Sequence, residues 1–496
     1  MYQANLLKTN DEEEVIIYMK KTLKNILGYL ESEVDYADIR FVEIDREIIE
    51  VENGVLSAYN ISNDRGTGIR VLVNGAWGFA STNDSRKDAL LKTAAQAVKI
   101  ARASAIVKKE NIQLASEDKH ITSYITPIIK DPFEIGSTKK IELLIQATNL
   151  MLKDKVKKSE GSLDFWKTHK WFLSTEGSEI EQTLYESGGG ICAYAIEDGD
   201  FQIRSYPASF GGDYATSGYE FIEKMALLEN AERVAGEANE LLSAPFCPEG
   251  ETDIVLGGSQ LALQVHESCG HSAELDRVLG KELSYAGGSF LTLDKLNHFA
   301  YGSSLVTITA DATLPEGLGS FGYDDEGVPA CKSFLVNKGK FTGYLTSRED
   351  AFKLGLKSNG TARAESWNRI PLVRMTNINL LPGELEFDEL LSDIKRGLYL
   401  DFNKSWSIDD KRLNFQFSTE IAREIKNGRL GKIYKNAVYH GITPEFWHSC
   451  DAISNNKYWH IWGVPNCGKG QPGQTMHVGH GTSPARFRNI KVGASK

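Results

Sequence analysis

The sequence predicts an α+β protein in two parts. An N-terminal α/β domain of hairpins and long helices spans residues 1–245, and a C-terminal β-rich, mainly antiparallel domain spans 246–496 and carries one helix dense in metal-binding side chains. Three observations predict this. In the first half, alternating apolar runs joined by Asn-Gly pairs give way repeatedly to runs of helical period. After "PFCPEGETDIVLGG" the helical pattern recedes and short alternating strands follow at regular spacing. Finally, 45 Gly against 13 Pro suits turn-rich β structure rather than disorder, and 21 Phe, 19 Tyr and 8 Trp are enough for real cores.

The elements follow in order. "DEEEVIIYMKKTLKNILGYL" at 11–30 places Val15, Met19, Leu23, Ile26, Leu27 and Leu30 on one stripe, with acids at the start where the helix dipole favours them. "YADIRFVEIDRE" and "GVLSAYNIS" pair about Asn53-Gly54, and "GIRVLVNGAWGFAST" turns at Asn74-Gly75. A helix is predicted over 84–105, capped by Asn83 or Asp84. A Lys-rich connector leads to a helix near 137–158, to strands in "DFWKTHKWFLSTEG", "EIEQTLYESGGGICAYAIEDG" and "DFQIRSYPASFGG", and to one long helix over 216–242. Gly66 and Gly68 in "RGTGIR" lack the phosphate-loop form and read as packing glycines. Trp166, Trp171 and Tyr206 read as core before channel lining. The second half continues as strands through "SSLVTITADAT", "CKSFLVNKGKFTGYLTS", "RGLYLDF", "KRLNFQFSTEIAREIKNGRLGKIYKNAVYHG" and "ARFRNIKVGA".

The charge balance narrows the function. With 56 basic and 67 acidic residues the net charge is −11, which makes nucleic acid and anionic lipid unfavourable partners. Cysteines at 192, 247, 269, 331, 450 and 467 form no CxxC pair and no disulfide framework. The first residues lack the pattern of a signal peptide, and no run of 18 apolar residues exists, so a cytoplasmic protein without a membrane span is expected.

The chemistry concentrates in "QVHESCGHSAELDRVLG", where His266 stands beside Glu267 and five residues before His271. Zinc is commonly held by two histidines of one helix, with an adjacent Glu as general base. The usual spacing is four. At five the side chains diverge by about 140° on an ideal helix. Convergence therefore requires a wide turn or a break, which costs least at Gly270. A third donor must come from elsewhere. "GVPNCGKGQPGQTMHVGHG", read as a Gly- and Pro-rich loop folding back over the helix, offers Cys467, with His477 and His480 as rivals and Cys269 as a further thiol inside the motif. Structural histidines, and histidines used for acid–base chemistry without a metal, remain the alternatives.

At these residues the chain resembles the TldD/PmbA metallopeptidases, specifically the metal-bearing TldD type. "HESCGH", "TLPEGLGSFGYDDEGVPA", "YLTSREDAFKLG", "NGTARAESWNRIPLVRMTN" and "CGKGQPGQTMHVGHGTSPARFRNIKVG" are similar to that family's segments in the same order, as is "RGTGIRVLVNGAWGFAST" near the N-terminus. The resemblance implies one zinc ion per chain held by His266, His271 and Cys467, with Glu267 activating water to hydrolyse small or unfolded peptides. It implies a dimer, either of two like chains or with a PmbA-like chain. Two stretches depart from the family: "SAELDR" after His271, where Glu274 and Asp276 keep the acidity without glycine, and "KSWSIDD" at 404–410. Beyond the resemblance, Arg348 and Arg363 are candidates to bind an oxyanion or a peptide carboxylate, unless they form salt bridges. Thr376 and Asn377 are candidates to hydrogen-bond an extended peptide. Asp324, Asp325 and Glu326 either orient a ligand histidine through its second nitrogen or cap a turn. The competing function is a catalytically silent scaffold or regulatory subunit of such a complex.

Overall fold

The computed structural model describes residues 10–495, with side chains from Tyr18 onward. The N-terminal part is built on one sheet. Its strands are β1 (Tyr36–Glu52), β2 (Val55–Val73), β3 (Ala76–Thr82), β4 (Ile121–Ile125), β5 (Val156–Ser174), β6 (Glu179–Glu197), β7 (Asp200–Tyr206) and β8 (Asp213–Ala215), with helices α1 (Asn10–Glu31), α2 (Lys87–Val107), α3 (Ser137–Met151), α4 (Glu220–Met225) and α5 (Leu227–Ser243). The order is β3-β2-β1-β5-β6-β4, and β7 and β8 also pair with β6. Both Asn-Gly pairs form hairpin turns with positive φ at each residue, 52° and 75° at Asn53-Gly54 and 49° and 69° at Asn74-Gly75. Met19, Leu23, Ile26, Leu27 and Leu30 of α1 pack with Ile39, Ile69, Val71 and the buried face of α2. Val15 lies outside the residues whose side chains are described.

Three helical expectations are corrected. The second helix starts at Lys87, and neither Asn83 nor Asp84 caps it; Arg86 holds the cap position, and Asp84 instead accepts the Arg86 amide at 3.0 Å. The third helix stops at Met151, because Asp154 turns the chain with φ 52° and Val156 starts β5. The long helix over 216–242 is two helices, broken where Ala226 takes φ 51° between α4 and α5.

The C-terminal part begins with β9 (Gly250–Leu256) and α6 (Gly258–Val265). It continues through α7 (Leu275–Val278), β10 (Ile308–Asp311), β11 (Lys332–Asn337), β12 (Lys340–Phe341), α8 (Arg348–Lys353), β13 (Ala362–Arg363), β14 (Leu372–Val373) and β15 (Ile378–Leu380). The last elements are α9 (Phe387–Ser392), β16 (Arg396–Ile408), β17 (Asn414–Lys426), β18 (Arg429–Tyr434), β19 (Ala437–Ile442), α10 (Thr443–His448), β20 (Cys450–Ile453), β21 (His460–Lys469), β22 (Gln474–Thr482) and β23 (Ala485–Ala494). Strands β16, β9, β23, β19 and β17 pair in turn, and β17 pairs again with β16, so these five close a ring. The β9–β16 pair is parallel and the others antiparallel. Phe415, Phe417, Tyr439, Phe446 and Phe487 fill the neighbouring core. Helix α6 is tied to this core by Tyr439, whose hydroxyl accepts from Gln260 at 2.9 Å and donates to Gln264 at 3.0 Å.

The two parts share buried polar contacts. Gly66 and Gly68 lie against Trp367: a Cβ would meet its ring at 2.4 Å in the first case and its carbonyl oxygen at 2.3 Å in the second. They are therefore packing glycines. Arg204 of β7 donates to Glu420 of β17 at 2.9 Å, and Arg70 of β2 donates to Glu326 at 2.9 Å. Among the described residues no helix is long and apolar enough to cross a membrane.

Candidate metal centre

Helix α6 runs straight into the site. After Val265 it widens into a π turn over His266–Gly270, and the His271 amide reaches back five residues to the His266 carbonyl. That wider turn answers the five-residue spacing: it brings both imidazoles to one side, with ring centroids 4.9 Å apart. Gly270 serves differently from the expectation. Its backbone is right-handed helical, but a Cβ there would stand 2.1 Å from the Met375 sulfur. Glycine is needed for close packing rather than for a break.

The third side chain arrives from the C-terminal end. Cys467 sits on β21 rather than in a loop, in a hairpin with β22 whose register shifts between Val464 and Cys467. Arg374, fully buried, donates to the Cys467 and Gln474 carbonyls and pins that hairpin. The Cys467 sulfur lies 3.6 Å from His266 Nε2 and 3.7 Å from His271 Nε2. In a tetrahedral site with Zn–N near 2.0 Å and Zn–S near 2.3 Å, neighbouring N and S donors are separated by about 3.6 Å. These three are the group of potential metal ligands among the described residues, and all are buried. The residues present thus fit a zinc ion in both donor type and spacing. Burial works against a Cys467 thiolate, but the two imidazoles and Arg374 outweigh it and hold the thiol well below its ordinary range.

Each imidazole has a partner on its other nitrogen. His271 Nδ1 lies 3.0 Å from Glu274 Oε2, in the departing "SAELDR" segment. Glu274 is itself flanked by Arg277 at 3.5 Å and by Lys469 at 3.4 Å. Lys469, wholly buried, also reaches Asp276 at 2.7 Å and Glu282 at 3.1 Å. His266 Nδ1 lies 2.7 Å from His480 Nε2. Glu267 is buried beside the triad, and its carboxylate accepts from Arg412 Nη1 at 2.6 Å. Arg412 follows "KSWSIDD", holds φ 63°, and leaves its Nε buried without a partner.

The remaining predicted residues separate clearly. Cys269 is not at the centre; burial pushes its thiol to about 12. His477 pairs with Glu186 at 3.0 Å, and His480 is a partner of a candidate ligand, not a member of the triad. The acidic trio is corrected: none of its carboxylates touches a ligand histidine. Asp324 accepts the amides of Glu326, Val328 and Ala362; Asp325 accepts the Ala364 amide and pairs with Lys170; Glu326 takes Arg70 and the Arg348 amide. Arg348 is likewise corrected, since it grips Glu176 with two hydrogen bonds of 2.7 and 2.8 Å and donates to the Ala115 carbonyl. Asn377 is saturated by Asp311, Ser320 and Gly319 and is fully buried, so it has no group to offer a peptide. Thr376 is also buried, with its hydroxyl unpartnered. Arg363 stands at the edge of a cleft, donating to the Met375 and His477 carbonyls at 2.9 and 2.7 Å, and burial lowers it to about 10.

That cleft, about 630 Å³, opens between the two parts of the chain. Asp164, Trp166, Lys170 and Glu186 line it from β5 and β6, and Arg363, Glu365 and Arg369 line it from the other side. It reaches Asn466 and Met476, which flank Cys467 along the strand and across the hairpin. Trp166 therefore lines the cleft, whereas Tyr206 packs on the core with its hydroxyl on the Met225 carbonyl. Trp171 stacks on Phe41 at 4.9 Å. The residues that reading the sequence missed are Arg412 and the roles of Glu274 and His480. The signals available were an acid three residues after His271 and a histidine three residues after His477 in the Cys467 segment; nothing marked Arg412.

Comparison with known proteins places the chain in a family. Residues 249–494 match the PmbA/TldA metallopeptidase C-terminal domain, and 37–101 match PmbA/TldA metallopeptidase domain 1. A protein named metalloprotease from Methanothermobacter thermautotrophicus is 33% identical over 473 residues, 95% of this chain and 98% of that one. Metalloprotease MJ0996 of Methanocaldococcus jannaschii is 31% identical over 90% of this chain and 94% of its own. A relative from Saccharolobus solfataricus, 23% identical over 92% of this chain and 96% of its own, is named a zinc metalloprotease TldD homolog. Among solved structures, TldE from Thermococcus kodakarensis shares the fold with a TM-score of 0.69 at 17% identity, covering 95% of this chain and 100% of that one. A Thermotoga maritima protein, described as a candidate modulator of DNA gyrase, does so at 0.74 and 19%, covering 95% and 99%.

Proposed function

The chain belongs to the PmbA/TldD metallopeptidase family, and from that premise we propose that it is a zinc peptidase acting on small or unfolded peptides. The observation that carries the reading is the convergence of His266, His271 and Cys467 at the spacing a tetrahedral zinc site requires. A bound zinc ion would supply Lewis acidity toward water and toward the scissile carbonyl. The chain's own residues do the rest. Glu267 accepts the proton of the attacking water and passes it to the departing amine nitrogen. Arg412 holds the Glu267 carboxylate in place and keeps its buried Nε–H for charge that develops beside it. Arg363 and Trp166, on opposite walls of the cleft, contact the peptide on its way to the centre. A cleft of this size admits an extended segment more readily than a folded domain.

Partnership and location belong to the same reading: a dimer with a second copy or with a TldE-like chain, working in the cytoplasm. The test is metal content together with cleavage of an unfolded casein-derived peptide mixture, with a TldE-type chain added in a parallel arm. One zinc per chain is expected in the wild type and in Glu267→Gln, with hydrolysis abolished in the latter. Cys467→Ser is expected to lose stoichiometric zinc. Undiminished cleavage by purified Glu267→Gln would remove its role as the base.

A further inference from the structure

The two candidate ligand histidines are held by different chemistry. His271 faces a carboxylate, Glu274, at 3.0 Å. A carboxylate accepts, so His271 carries its proton on Nδ1 and turns the lone pair of Nε2 toward Cys467. His266 has no carboxylate on Nδ1; it faces His480 Nε2 at 2.7 Å. Two neutral imidazoles meeting there leave open which one donates.

The main chain closes that question. His480 Nδ1 lies 3.3 Å from the Ile378 carbonyl oxygen, and a carbonyl can only accept. His480 therefore carries its proton on Nδ1 and presents a lone pair at Nε2. His266 then donates from Nδ1, and its own Nε2 is the bare nitrogen 3.6 Å from the Cys467 sulfur. The opposite assignment would put a hydrogen on His266 Nε2, in the space between the three donors. A doubly protonated His480 would do the same, and its ring nitrogens touch no anion that would hold the buried charge. The approach is built into the packing of β22 on β15. A Cβ at Gly479 would meet Oδ1 of Asn377, just before β15, at 2.3 Å, and one at Gly481 would meet Asn379 Oδ1 of β15 at 2.7 Å. The glycines on either side of His480 let the strand come close enough for its ring to reach Ile378.

We propose that His480 is a positioning residue for the metal centre, a neutral imidazole relay that fixes the Nε2-coordinating tautomer of His266, with the Ile378 carbonyl as its anchor. The proposal rests on the zinc-peptidase reading and adds an asymmetry to it. The His271 side is strengthened by an anion, and the His266 side is oriented by a neutral group that donates less charge.

The experiment uses the full chain and Zn²⁺ or Co²⁺ alone, with affinity measured by competition against a chromophoric chelator. His480→Leu is expected to weaken zinc binding by about 10–100-fold and to alter the visible spectrum of the cobalt form. His480→Gln, whose side-chain oxygen can accept from His266 Nδ1, is expected to recover most of the affinity and the spectrum. Zinc binding by His480→Leu within twofold of wild type, with an unchanged cobalt spectrum, would overturn the proposal. Should the Leu variant fail to fold, ¹⁵N histidine spectra of the wild-type chain decide instead: an Nδ1–H tautomer at both His266 and His480 is expected, and an Nε2–H tautomer at His266 refutes the relay. Absence of zinc binding by the wild type would refute the zinc reading and this proposal together, whereas wild-type binding with an indifferent Leu variant refutes this proposal alone.

Discussion

Two acidic segments of the C-terminal part invite comparison: Asp324-Asp325-Glu326, and Glu274 with Asp276 after the second histidine. Both are buried. In the sequence the first looks the stronger candidate to orient a metal ligand, with three adjacent carboxylates in a family-like motif. In the structure the roles reverse. The trio satisfies amides of its own turn and of β13 and reaches Arg70 and Lys170 of the N-terminal sheet. Glu274 reaches His271. A carboxylate cluster is a charge in search of partners, and which partners it finds is set by what packs against it. A trio facing cations of the N-terminal sheet becomes a clamp; a single acid one turn beyond a bent helix becomes an orienter.

The comparison can be broken at its strongest point first. Glu326→Ala removes one partner of buried Arg70 and the acceptor of the Arg348 amide. Stability is expected to fall by about 3–5 kcal/mol, measured by urea denaturation, while zinc affinity of the folded protein stays within twofold. A large affinity loss would return the trio to the metal site. Next, Glu274→Gln is expected to weaken zinc binding by about 10–100-fold in the same chelator competition, since the amide orients His271 without its charge. An unaffected affinity would make Glu274 merely a counter-ion of Lys469 and Arg277. The smallest effect concerns Glu282, on the far side of that cluster, which burial raises from the ordinary 4.5 to about 7. A raised acid means the folded chain holds a proton that the unfolded chain has released. Stability is thus expected to decline as pH rises from about 4.5 to about 7 and to level off above. Glu282→Gln should flatten that slope in chelator-treated protein; an unchanged slope would place the proton elsewhere.

How much was legible follows from the reach of each signal. The Asn-Gly turns, the apolar stripe of α1 and the packing role of Gly66 and Gly68 were readable because turn chemistry, helical period and the lack of a phosphate-loop pattern are local properties. Helix ends were not: Met151 and Ala226 end or break a helix where the chain must turn back to a sheet, and helical periodicity continues past both. The five-residue spacing between His266 and His271 demanded a widened turn, and the π turn is there, but the need for Gly270 came from Met375, which is over a hundred residues away. Arg348 and Asn377 stood in family-like motifs that suggested contact with substrate. Their hydrogen bonds go to Glu176, Asp311 and Gly319, and so they serve the interior.

Taken alone, the sequence determined the α+β character, the hairpin turns and the candidate donors from which a metal site could be drawn, because composition, period and donor chemistry are carried by the residues themselves. The tertiary structure decided which sulfur and which nitrogens face one another, that His480 stands behind His266 and Glu274 behind His271, and that Arg412 holds Glu267. Those pairings join residues three to more than two hundred positions apart across a π turn, a hairpin and a closed ring of strands. Their distances depend on how close neighbouring backbones can pack, a quantity that no single stretch of chain encodes.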